Sequence, residues 1–162
     1  MLPSWPAVCG AGCLALLGCQ STPVAQPGMP LELRVEVHNV SVGQGSVRCA
    51  LYQDRATFLT REGITQGKSE PAASSTVTFI FQVPADQPLV VSVFQDMNSN
   101  EKLDRGALGI PTEPWGFSGK APALGPPNWA ACNIVPNAKN NVVQITLRGG
   151  SPAPEREDHG EH

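Results

Sequence analysis

Residues 31–40, LELRVEVHNV, alternate without a break: Leu31, Leu33, Val35 and Val37 fall on one side, Glu32, Arg34, Glu36 and His38 on the other. Successive side chains of an extended chain point to opposite faces, so a period of two predicts a half-buried strand of an antiparallel sheet. The same period returns after the turn VGQG (42–45), with Val47, Cys49 and Leu51 inward, and the pair is expected to form a hairpin. A third strand is predicted at 76–83, TVTFIFQV, with Val77, Phe79, Phe81 and Val83 on its inner side; Pro84 ends it, and PADQP leads into LVVSVFQ (89–95). The last strands are expected at 130–135, AACNIV, and at 141–148, where Val143, Ile145 and Leu147 alternate with Gln144, Thr146 and Arg148. Residues 54–75 read as polar and irregular, with Phe58 filling one end of the core. Residues 119–129, GKAPALGPPNW, are too rich in proline to be regular, so Trp129 is expected to anchor them by burying its ring.

No amphipathic helix of useful length competes with these strands. Sixteen Gly and sixteen Pro with 15% charged residues also suit short strands joined by turns. The prediction is an all-β fold, an antiparallel β-sandwich of immunoglobulin-like or transthyretin-like kind with about six or seven strands. A chain of 162 residues is about one domain, expected over 31–148 and monomeric. The net charge of −3 and the lack of a Lys/Arg cluster argue against nucleic acid as a partner. His38 lies on the polar side of its strand and reads as a solvated residue. The final stretch, 149–162, is acidic, almost without apolar residues and expected to be disordered.

The cysteines divide by position. Cys9, Cys13 and Cys19 lie in or at the end of an N-terminal apolar segment, and LLGC at 16–19 has the form of a bacterial lipoprotein signal. Residues 1–18 are read as the signal peptide, although they contain no Lys or Arg, and Cys19 as the acylated first residue of the mature chain. Residues 19–30 would then be a flexible tether. This places the body on the periplasmic face of a bacterial membrane, an oxidising compartment in which the two remaining thiols, Cys49 and Cys132, are expected to pair as a disulfide. The alternative is two buried free thiols acting as small apolar residues.

The chemistry concentrates in DMNSNEKLD, residues 96–104. Asp96, Asn98, Asn100 and Asp104 take positions one, three, five and nine of a calcium loop, with the Lys102 carbonyl at position seven. Position six is Glu101 where such loops carry Gly, and position twelve is Ala107 where they carry a bidentate Glu, so Glu113 is the candidate for the missing carboxylate. Calcium is accordingly the expected cofactor. The competing reading is a metal-free turn, because Asp and Asn also bond to their own backbone. Trp115 and Phe117, just beyond, form a candidate surface for a protein or glycan partner or else cover the edge of the core.

The strand GSVRCALYQD followed by Phe58, then VSVFQDMNSNEKLD, GIPTEPWGFS and PPNWAACNIV, resembles the bacterial family known as domain of unknown function 2141 over roughly residues 31–148. The resemblance implies an exported single β-domain with no established activity. It also makes Glu101 and Cys132 departures, from a usual Gly and from a larger apolar residue respectively, and the second fits a private pairing with Cys49. Together these readings favour a non-catalytic envelope module with a calcium-binding loop. The alternatives are a structural protein with a metal-free loop and an envelope hydrolase using Asp96 and Glu113 as acid and base; no hydrolase motif supports the last.

Overall fold

A computed structural model of the chain describes residues 28–106, 109–122 and 125–150. The predicted signal segment, the acylated Cys19, most of the tether, Ala107 and nearly all of the acidic tail lie outside the described residues. Seven strands form: β1 (Pro30–His38), β2 (Ser46–Tyr52), β3 (Ile64–Pro71), β4 (Thr76–Pro84), β5 (Val90–Asp96), β6 (Trp115–Phe117) and β7 (Val142–Thr146). They make two sheets, one ordered β4-β1-β7 and the other β3-β2-β5-β6. All neighbours are antiparallel except β1 and β7, which run parallel. The β-sandwich expected from the alternation is therefore the fold observed.

The core between the sheets is made of the inward positions the period of two selects. Leu33, Val35 and Val37 of β1, Val47, Cys49 and Leu51 of β2, Val77, Phe79, Phe81 and Val83 of β4, and Ile145 and Leu147 all lie in one buried cluster with Val91 and Val93 of β5. Burial of this apolar surface is the dominant favourable term in folding, and it requires two faces, since a sheet alone covers only one side of each strand. The opposite side of β1 stays polar. There Arg34 bonds Glu36 at 2.9 Å, which with Gln144 holds the Glu36 carboxyl below its ordinary range, and His38 lies 3.2 Å from Thr76 Oγ1.

Three expectations about the elements themselves change. The predicted hairpin of β1 and β2 does not form: the residues between them cross from one sheet to the other, and each strand finds its partners elsewhere. Alternation defines a buried face but not which strand lies beside which, and a crossing connection satisfies it equally well. Second, residues 64–71, read as irregular, are the edge strand β3. Their side chains are nearly all exposed, so no apolar alternation marked them. Gln66 and Lys68 reach from this edge to the main-chain carbonyls of Gln82 and Ile80 in β4, stitching the two sheets along one side. Third, residues 129–132 form a single helical turn, α1 (Trp129–Cys132), capped by the Asn128 side chain accepting from the Ala131 N–H, in place of the strand expected at 130–135.

That helical turn also decides the cysteines. Cys49 and Cys132 are free thiols, both buried, and the expected disulfide is absent. Cys49 points into the space between the sheets, whereas α1 sets Cys132 against the outer face of the β2–β5 sheet, in a second cluster with Tyr52, Val90, Phe58, Phe117 and Trp129. The sheet itself stands between the two sulfurs. Phe58 likewise belongs to this outer cluster and not to the end of the main core, its ring meeting Tyr52 at 5.5 Å and Trp129 at 5.7 Å, edge to face.

Burial pushes the Cys49 thiol well above its ordinary pKa. A raised folded-state pKa means that its stabilisation is complete below the unfolded value and is lost as pH climbs beyond it, from about pH 8.5. Denaturant unfolding at pH 8 and pH 10 is expected to give a drop in stability that becomes smaller in Cys49→Ala; an identical drop in both proteins would contradict this. Gly116 of β6 lies so close to β7 that an added Cβ would sit 2.6 Å from Ile145 Cγ2. Gly116→Ala should therefore destabilise by about 1–3 kcal/mol in urea titrations.

Candidate functional site

Strand β5 ends on Asp96, whose side chain projects from the outer face of its sheet yet is fully buried. Two groups bury it. Arg48 on the adjacent β2 lies one diagonal away in register, since Arg48 faces Phe94 and Ser46 faces Asp96. Its Nε donates to Asp96 Oδ2 at 2.9 Å. The loop after β5 then folds back so that the N–H of Asn100 reaches Asp96 Oδ1 at 3.0 Å and the N–H of Glu101 reaches Oδ2 at 2.8 Å. This reversal needs Ser99 and Glu101 in the left-handed region, at φ of 62° and 65°. Glu101, the residue standing where a calcium loop has glycine, thus adopts the glycine conformation. The strain is offset by an ion pair from its carboxylate to Arg48 at 3.0 Å, so one guanidinium clamps both ends of the turn. These bonds push the Arg48 pKa up, against its partial burial.

The remaining predicted ligands gather around Asp104. Asn98 Nδ2 donates to Asp104 Oδ2 at 2.6 Å, and Asn100 Nδ2 donates to Oδ1 and Oδ2 at 2.9 and 3.0 Å. The amide oxygens accept from the loop itself: Asn98 Oδ1 from the Asn100 N–H and Asn100 Oδ1 from the Lys102 N–H. Lys102 is exposed and enters this network through its N–H. Glu113 is buried and bridges the loop's two ends, Oε1 accepting from the Met97 N–H at 2.8 Å and Oε2 from the Asp104 N–H at 3.0 Å. The fold therefore draws Asp96, Asn98, Asn100, Asp104 and Glu113 into one bonded loop. Among the described residues no three His, Cys, Asp or Glu side chains gather as a metal-ligand cluster, and every buried side-chain polar atom has a hydrogen-bond partner.

Two contributors were not singled out in the sequence. Gln95, fully buried, reaches the crossing loop between β1 and β2: its Oε1 accepts from the Ser41 N–H at 2.9 Å, and its Nε2 donates to the carbonyls of Ser41 and Gln44. Gly45 makes the close approach there, with an ideal Cβ only 1.9 Å from the Asp96 carbonyl oxygen. Arg48 is the other. It stood at an outward position of an alternating strand, and only the register of β2 on β5 reveals its partner.

Trp115 and Phe117 are half-buried on the outer face of the same sheet. The Trp115 ring carries the Arg148 guanidinium 4.4 Å from its centroid, and Arg148 also donates to the Pro122 carbonyl. Phe117 joins the outer cluster, 6.2 Å from Phe58, so both rings serve to cover the sheet.

What these features define is a two-sheet β-sandwich domain with a self-bonded acidic loop between β5 and β6. Residues 35–144 match the family described as uncharacterized protein conserved in bacteria, DUF2141, and the chain belongs to that family. No curated protein and no solved structure matches it.

Arg48→Gln removes the only side-chain cation that pairs, among the described residues, with the fully buried Asp96. It should cost about 2–3 kcal/mol in equilibrium unfolding, and adding Asp96→Asn should restore part of that loss. A variant as stable as the parent would mean that the two loop N–H groups suffice for Asp96.

Proposed function

We propose that this protein is a non-catalytic, exported envelope module, held to a membrane by an acyl group on Cys19, whose β5–β6 loop presents a preformed surface to a protein or glycan partner. The observation that carries the reading is the complete internal pairing of the loop. Asp96 has Arg48 and two N–H groups, Glu113 has two N–H groups, and Asp104 has two side-chain amides. A carboxylate occupied in this way is poorly placed to act as acid or base, because its lone pairs are committed to the loop. A loop whose polar groups are already satisfied loses little further conformational entropy when it meets a partner, which favours recognition by a rigid surface. LLGC at 16–19 supports the acyl anchor.

A second reading keeps calcium. It is favoured by the left-handed Glu101 at loop position six and by the convergence of Asn98 and Asn100 on Asp104. Rotating the two amides by half a turn about their terminal bond would exchange donor for acceptor and direct their oxygens toward the Asp104 carboxylate, the ligand chemistry calcium requires.

The two readings separate in a titration. With the loop pre-paired by Arg48, millimolar calcium is expected to give no binding heat by calorimetry and no rise in the melting temperature; a saturable heat lost in Asp104→Ala would replace this reading with the calcium one. For the anchor, Cys19→Ser is expected to move the protein from the membrane to the soluble fraction and to abolish labelling by a radioactive fatty acid. Unchanged membrane retention in that variant would remove the acyl anchor from the proposal.

A further inference from the structure

The two ends of the sandwich differ in what they expose. Strand β1 enters at Pro30, and this end also carries the close of β2, the start of β3, the close of β4 and the start of β5. The incoming chain is pinned there: the Gly28 N–H donates to the Ala85 carbonyl at 2.9 Å and the Ala85 N–H to the Met29 carbonyl at 2.8 Å. The acidic loop, the β1–β2 crossing and the β3–β4 turn lie at the opposite end.

Seven large apolar residues are exposed among the described residues: Met29, Leu59, Ile64 and Val135 lie at the entry end, whereas Val42, in the β1–β2 crossing, and Ile110, in the β5–β6 loop, lie at the opposite end. Met29 precedes β1, Leu59 and Ile64 flank the approach to β3, and Val135 follows Ile134, which bridges to Leu89 just ahead of β5. Exposed charges at the same end are mixed in sign, with Arg55, Arg61, Lys120 and Lys139 against Asp54, Glu62 and Asp86.

We infer that this entry end rests on the lipid surface, with Met29, Leu59, Ile64 and Val135 in contact with the interfacial region of the bilayer, and that the acidic loop consequently faces away from the membrane. The inference depends on the acyl anchor at Cys19 proposed above. From Cys19 to Gly28 is nine residues, which at about 3.3–3.6 Å each reach no farther than ~32 Å. A body on so short a leash meets the membrane at high effective concentration and through the end where the leash attaches. Apolar side chains on that end gain by entering the interface, and the attachment of the leash there brings them to it first.

The test compares hydrogen exchange of the acylated mature chain on vesicles of phosphatidylethanolamine and phosphatidylglycerol with that of the soluble Cys19→Ser chain, after mass spectrometry has established acylation. Amides of residues 57–64 and 133–135 are expected to exchange several-fold more slowly on vesicles, while those of 98–102 do not change. Substituting Ser at Leu59, Ile64 and Val135 should abolish the difference while leaving the chain acylated. Confirmed acylation with no slowing overturns the contact and leaves the anchor standing; no acylation overturns both. Slowing of the same amides in the soluble chain at rising protein concentration would assign the surface to self-association and overturn the membrane contact.

Discussion

The arrangement at the loop end depends on a carboxylate placed where water cannot reach it. Asp96 is the last residue of β5, and a charged group in that position is tolerable only if its charge is compensated and its lone pairs are filled. Arg48 supplies the charge and the loop amides of Asn100 and Glu101 fill the lone pairs. The path of the chain beyond β5 follows from that requirement. To aim two consecutive N–H groups at one carboxylate the backbone must pass through left-handed residues, and once it has turned, Asn98, Asn100 and Asp104 are brought within bonding distance.

Glu113 performs the complementary task from the far side. By accepting the N–H groups of Met97 and Asp104 it ties the beginning of the loop to its end, immediately before β6 resumes pairing with β5. The connection is thereby held by side-chain acceptors as well as by its own short backbone bridge, in which the Thr112 N–H donates to the Asp104 carbonyl and the Gly106 N–H to the Ile110 carbonyl. Gln95 extends the same device to the neighbouring crossing loop. The loop end is consequently held by buried polar bonds, whereas the middle of the molecule is held by apolar packing.

The sheets also close differently along their two sides. On one, Gln66 and Lys68 of the edge strand β3 bond main-chain carbonyls of the edge strand β4, and inward-pointing polar groups of this kind discourage pairing with another chain. On the other, Arg148 follows β7 across to exchange two backbone bonds with Trp115 of β6, and its guanidinium lies on the same indole. The outer face of the β2–β5 sheet, apolar at Tyr52, Val90 and Phe117, is covered by Phe58 and by the proline-rich segment ending in α1. Ser118 locks that cover, accepting from the Val91 N–H and donating to the Cys132 carbonyl.

By itself the sequence determined the layered all-β character and the inward faces of β1, β2, β4 and β7, because a period of two assigns every residue of a strand to one face. It also located the loop and its carboxylate acceptors at Asp96, Asp104 and Glu113, since residue type and spacing are local properties. Tertiary structure alone decided strand neighbours, the crossing between β1 and β2, and the separation of Cys49 from Cys132 by a sheet. It alone decided, too, that the cation beside Asp96 is Arg48. That residue is forty-eight positions away along the chain, and only strand register, set by the packing of whole faces, brings the two side chains to 2.9 Å.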